Sequence, residues 1–159
     1  MRCLGYQSGA FFPPISVKKT DNPMIEEIPA EFWQGIEEFN RREYYACHDT
    51  LEALWMEAGE PEKRFYQGIL QIAVSLYHLG NENWRGAVML MGEGIRRLRD
   101  YEPSYFGIDV ETLVTQSIAL LQALQGAGAE NVKNFIPSAD DAKSKDFPTI
   151  QKLNEGDGE

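Results

Sequence analysis

A chain of 159 residues, 43% hydrophobic and 25% charged, has the length of one domain and the composition of an ordinary globular core, which excludes wholesale disorder. Its 25 acidic against 15 basic residues leave a formal charge of −10, so neither general nucleic-acid binding nor attachment to an anionic membrane is expected. No apolar run approaches the roughly 20 residues that span a bilayer.

The acidity sits mainly in the middle. Residues 31–125 hold 8 Lys/Arg against 15 Asp/Glu, residues 126–159 hold 4 against 7, and residues 1–30 balance at three each. The first 29 residues read as a partly irregular arm, because Phe11-Phe12-Pro13-Pro14 and Asn22-Pro23 interrupt both helix and sheet pairing. Arg2 stands alone and Gly5, Gln7, Ser8 and Gly9 break the apolar residues, so no signal peptide is expected. A cytoplasmic location follows, with the plastid stroma as the lesser alternative, since residues 1–20 carry Arg2, Lys18 and Lys19 and no acid. Two cysteines, Cys3 in the arm and Cys47 in a helical stripe, do not form a disulfide framework.

From Pro29 the apolar spacing becomes helical. Phe32, Ile36 and Phe39 predict a first helix over about 30–40, opened by a proline whose missing N–H costs nothing there. Tyr44, Cys47, Leu51, Leu54, Trp55 and Ala58 predict a second over 42–58, ended by Gly59-Glu60-Pro61. The third, about 61–80, is apolar on most sides through Phe65, Ile69, Leu70, Ile72, Ala73, Leu76 and Leu79, as a central helix would be. One polar strip remains on it: Arg64, Gln67, Gln71, Ser75 and His78.

Gly80-Asn81 stops this helix. Asn81 or Asn83 is placed to cap a fourth over 82–100, with Trp84, Ala87, Val88, Met91, Ile95 and Leu98 inward. Residues 101–108 read as an aromatic loop, and Asp109 as the cap of a fifth helix over 110–125. Beyond Gly126 the chain turns small and polar and reads as a flexible tail, 126–159. No strand is predicted. The expected fold is all-α: a compact bundle of about five helices, two antiparallel hairpins plus a C-terminal helix, spanning 30–125.

Residues 35–58 and 75–98 echo each other at an offset of 40, with Ile36 matching Leu76, Phe39 matching Leu79, Tyr44 matching Trp84, Cys47 matching Ala87 and Leu51 matching Met91. The two hairpins therefore read as copies of one unit, although two copies fall short of the three a solenoid needs.

Chemistry concentrates on the second and third helices. His48 and Glu52, four residues apart, share a helix face, flanked by Tyr45 and Trp55. A His and a carboxylate at this spacing can hold a metal ion or act as a base with its orienting group. His78, with Gln71 to place substrate or water, completes a candidate catalytic or metal set if the polar strip faces the second helix. The competing reading is structural: Arg64, Gln67, Gln71, Glu52 and the histidines bonding one another, because an unpaired buried polar group costs about 1–3 kcal/mol. Arg96, Arg97 and Arg99 suit the negative end of the fourth helix. Trp33, Trp55 and Trp84 read as packing residues, and neither a phosphate loop nor a nucleophile elbow is present.

The stretch from Phe39 to Trp55 (FNRREYYACHDTLEALW) resembles the opening motif of the family called domain of unknown function 309. Similar matches are Arg64-Phe65-Tyr66-Gln67-Gly68-Ile69-Leu70-Gln71 with Ala73 and His78, then Asn83, Gly86-Ala87 and Tyr105-Phe106-Gly107-Ile108-Asp109. The resemblance spans about 30–125 and implies a small all-α protein of a kind found in bacteria, archaea and plastid-bearing lineages. It implies no reaction. One departure is Asp49, where the family carries Glu beside the His.

The leading functional expectation is a binding or interaction module for a protein or small ligand, with a polar groove between the second and third helices. The alternatives are a small hydrolase or metal-dependent enzyme using His48, Glu52 and His78, and a purely structural scaffold. No motif implies a cofactor, and the pattern is compatible with self-association through an apolar helix face.

Overall fold

A computed structural model describes residues 28–137 and 147–154 of the chain. The arm expected over 1–29, with Cys3 and the stretch weighed as a targeting segment, lies outside the described residues except for Ile28 and Pro29. Five α-helices follow one another among the described residues: α1 Ala30–Asn40, α2 Tyr44–Glu57, α3 Glu62–Gly80, α4 Trp84–Leu98 and α5 Val110–Ala127. The fold is all-α, as the apolar periodicity predicts.

Helix α3 is the central rod. Phe65, Tyr66, Ile69, Leu70, Ile72, Ala73, Leu76 and Leu79 are all buried, so its apolar surface meets neighbours on most sides. The closest neighbour is α4. A β-carbon on Gly94 would lie 2.8 Å from the Gly68 carbonyl oxygen, and one on Gly68 would lie 2.7 Å from Leu98 Cγ. Two glycines therefore let the backbones approach where they cross.

The offset-40 echo extends to the hydrogen bonds. Glu43 N–H donates to the Glu38 carbonyl at 2.8 Å, and Asn83 N–H to the His78 carbonyl at 2.9 Å. Arg42 N–H donates to Phe39 and Glu82 N–H to Leu79 in the same way. Arg42 and Glu82 adopt left-handed conformations, at φ 67° and 63°. This turn is why α2 begins at Tyr44 rather than at 42. The α4 turn has a side-chain cap, Asn83, which accepts from Gly86 N–H at 2.9 Å. Asp109 caps α5 by accepting from Thr112 N–H at 2.9 Å.

Two parts of the chain depart from the expectation. Ser104–Tyr105 (β1) and Ile108–Asp109 (β2) form a small antiparallel hairpin where only a loop was predicted. Its turn residues, Phe106 and Gly107, both have positive φ, the requirement of a tight two-residue hairpin. The Tyr101 hydroxyl donates to the Pro61 carbonyl and the Tyr105 hydroxyl to Glu62, fastening this loop to the start of α3. Burial and the nearby Glu62 carboxylate push the Tyr66 and Tyr105 phenols up to about 12.

The second departure lies in the stretch expected to be a flexible tail. Val132, Phe147 and Ile150 are buried among the core side chains. Asp109 N–H donates to the Gln151 carbonyl and Leu153 N–H to the Gly107 carbonyl, extending the hairpin edge. The Asn40 amide both donates to the Ile150 carbonyl and accepts from its N–H, at 2.9 and 2.8 Å. A short polar segment is thus ordered by backbone pairing and two apolar anchors, a contact that composition does not reveal. The central part of this stretch, 138–146, lies outside the described residues, as does 155–159.

Two outcomes follow. Gly94→Ala forces a β-carbon against a backbone carbonyl that cannot rotate away, and should cost about 1–3 kcal/mol in urea unfolding. Asn40→Ala removes both bonds to Ile150. Hydrogen exchange at the Ile150 amide should accelerate, with a stability loss of about 1 kcal/mol per bond.

Candidate functional site

Three residues of the α3 polar strip, Gln67, Gln71 and His78, border a shallow groove to which α2 and α4 also contribute side chains, whereas Ser75 is buried and Arg64 lines no part of it. Two hollows lie along it. One, of about 180 Å³, is lined by Tyr44, Tyr45, His48, Val74, Tyr77 and His78. The other, of about 300 Å³, is lined by His48, Gln67, Leu70, Gln71, Val74 and Leu90. His48 and Val74 border both, so the hollows are neighbours. Helix α4 contributes Leu90 to a groove that the sequence places between the second and third helices alone.

The first hollow is walled by rings. Tyr45 and Tyr77 meet edge to face at 5.2 Å while remaining 57% and 39% exposed. The Tyr44 hydroxyl is buried and has no hydrogen-bond partner among the described residues. Burial raises the Tyr44 phenol and, beneath it on the same helix, the Cys47 thiol, far above their ordinary range. Both are neutral, and neither is poised as a nucleophile.

The predicted polar residues do not bond one another as a single network. Arg64 reaches Asp100 at 3.3 Å. Gln71 accepts from Arg97 Nη1 at 3.2 Å. The Nδ1 of His78 lies 3.3 Å from the Asn83 amide. Ser75 bonds back to the Ile72 carbonyl within its own helix. The Gln67 side chain has no hydrogen bond among the described residues. Arg64 and His78 are fourteen residues apart, about 21 Å along a helix axis, so one network spanning the strip is geometrically out of reach. Trp55 is buried, with Lys63 Nζ 4.2 Å from its ring centre, and lines neither hollow.

His48 is 23% exposed and sits between two carboxylates: its Nδ1 is 3.2 Å from Asp49 and its Nε2 is 3.8 Å from Glu52. The three residues can each offer a ligand atom within 4.8 Å of the others. His78 is not in this group, although it borders the same hollow as His48. Of the candidates His48, Glu52 and His78, the first two thus share a cluster with Asp49, and His78 stands outside it. The signal was available, because residues i, i+1 and i+4 form one triangle on a helix surface.

At the far end of the groove, Arg97 Nη1 and Arg96 Nη2 both donate to Glu93, at 2.8 and 2.9 Å. These two hydrogen bonds, that of Arg97 first, hold the Glu93 carboxyl below the usual carboxylate range.

Among known proteins, residues 32–90 match the model of a family described as a domain of unknown function, DUF309. Over 59 residues the chain is 42% identical to the uncharacterized protein YpuF of Bacillus subtilis (strain 168). That alignment takes in 36% of this chain and 34% of YpuF, so the chain spans about a third of that relative's length. The resemblance carried by the motifs thus holds over 32–90, a segment that runs from α1 into α4 and includes every groove-lining residue. It does not take in residues 91–125. No helix among the described residues is long and apolar enough to cross a membrane.

A depressed carboxyl contributes stability above its unfolded pKa and loses it as pH falls through its folded value. The advantage of the wild type over Glu93→Gln should therefore be present at neutral pH and vanish in acid. It should stay below about 1 kcal/mol because the pair is exposed. Urea midpoints measured across that range check it.

Proposed function

We propose that this domain is a binding module, and that the groove between α2, α3 and α4 receives its ligand. The observation that carries this reading is the pair of adjoining hollows sharing His48, one walled by rings and the other by amides. Such a surface suits a ligand with an aromatic or aliphatic group joined to a hydrogen-bonding head. The apolar part would enter between Tyr45, Val74 and Tyr77. The head would meet Gln67 and Gln71.

The idle polar groups favour the same reading. The Tyr44 hydroxyl is buried without a partner among the described residues, which costs about 1–3 kcal/mol, and the half-buried Gln67 side chain makes no hydrogen bond among them either. A ligand able to bond them would recover that cost. The larger hollow, about 300 Å³, lies at the small end of the range for ligand pockets. The occupant is therefore a compact molecule or a few side chains of a partner protein.

The test is a thermal-shift screen of small polar and aromatic compounds on the wild type, Tyr77→Ala and Gln67→Leu. Tyr77 and Gln67 are not fully buried, so both variants should keep the fold. A compound that raises the wild-type Tm should lose most of that shift in either variant. A shift of equal size in all three proteins would place the ligand elsewhere and end this reading.

A further inference from the structure

We propose that His48, Asp49 and Glu52 form a binding site for a divalent transition-metal ion, of the borderline class that accepts both imidazole nitrogen and carboxylate oxygen. The proposal goes beyond the groove reading and stands without it.

The first argument is geometric. His48 and Glu52 lie one turn apart on α2, and Asp49 fills the third corner between them. Their ligand atoms lie within 4.8 Å of one another. Metal bonds of about 2.0–2.2 Å to nitrogen and oxygen put neighbouring ligand atoms roughly 3.0–3.5 Å apart. The remaining gap is closed by side-chain rotation, which is free here because Asp49 is 62% and Glu52 35% exposed.

The second argument is electrostatic. Among the described residues, His48 is the only charge partner within salt-bridge distance of either Asp49 or Glu52. One imidazole, even protonated, balances one of the two carboxylates. A divalent cation balances both.

The third argument comes from the duplicated hairpin. Helix α4 repeats α2 at an offset of 40, and Val88, Met89 and Gly92 stand where α2 has His48, Asp49 and Glu52. The burial of each pair is alike: half-buried, exposed and half-buried in turn. The same turn, the same helix and the same inward stripe are built without any of the three polar side chains. Packing of the hairpin therefore does not require them, which weakens the purely structural account of this cluster.

The chemistry of the set limits the ion. Imidazole favours zinc, iron, nickel or copper, whereas carboxylates alone would suit magnesium or calcium. Three protein ligands leave coordination positions open. His48 borders both hollows, so an ion beside it would offer those positions to whatever enters the groove.

The experiment is equilibrium dialysis of the full chain, free of any histidine tag, against Zn(II) with elemental analysis, and Co(II) absorption to report ligand geometry. Wild-type protein should take up one ion per chain. Asp49→Asn and Glu52→Gln should each weaken binding at least about tenfold, since even outer-shell partners are worth that much. His48→Ala should abolish binding, and His78→Ala should leave it unchanged. Affinity should fall as pH is lowered, because a ligating imidazole must be unprotonated. Among the described residues the Asp49 side chain bonds only His48, so its variant should keep the fold and remain informative if His48→Ala does not. No saturable uptake by the wild type, uptake untouched in the Asp49 and Glu52 variants, or equal loss in His78→Ala would each overturn the proposal. The groove reading is decided separately by Tyr77→Ala and Gln67→Leu.

Discussion

The close crossing of α3 and α4 is the constraint on which the rest of the molecule depends. Gly68 and Gly94 remove side chains at that crossing, so Leu98 and Ile72 fill the space a β-carbon would take. With α4 held this near, α3 is buried on most of its circumference and becomes the rod around which the other helices stand. Gln67, Gln71 and His78 of its polar strip escape full burial, as do Val74 and Tyr77 beside them, and the hollows open there. Packing and site are therefore two sides of one helix.

The same hairpin occurs twice, yet the two copies do different work. In both, an identical turn with a left-handed residue aims the second helix back along the first. The inward positions keep apolar character, as with Cys47 and Ala87 or Leu51 and Met91. The outward positions differ: α2 carries His48, Asp49 and Glu52, whereas α4 carries apolar or small residues and Glu93 with its two arginines. The two hairpins thus agree in what packs inward and differ in what faces outward.

Much of the candidate site is legible in the sequence. His48, Gln67, Gln71 and His78 all border the groove, as helical spacing predicts for residues sharing a face. The grouping among them could not be read. Arg64 turns to Asp100, Gln71 to Arg97 and His78 to Asn83, because each side chain bonds whatever the neighbouring element brings within about 3 Å. Asp49, read from the sequence only as a departure from the family's Glu, is the third member of the cluster, since adjacency on one helix compensates for length.

The sequence by itself determined the helices and their inward faces. Burial of an apolar stripe is a local, periodic property, and the caps at Asn83 and Asp109 act within three residues of themselves. Tertiary structure alone decided the rest. The β1–β2 hairpin and the docking of Phe147 and Ile150 rest on backbone pairing and on an amide, Asn40, that reaches across 110 positions of the chain. Nothing periodic announces such contacts, because a hydrogen bond between distant segments depends on where the fold has already carried them.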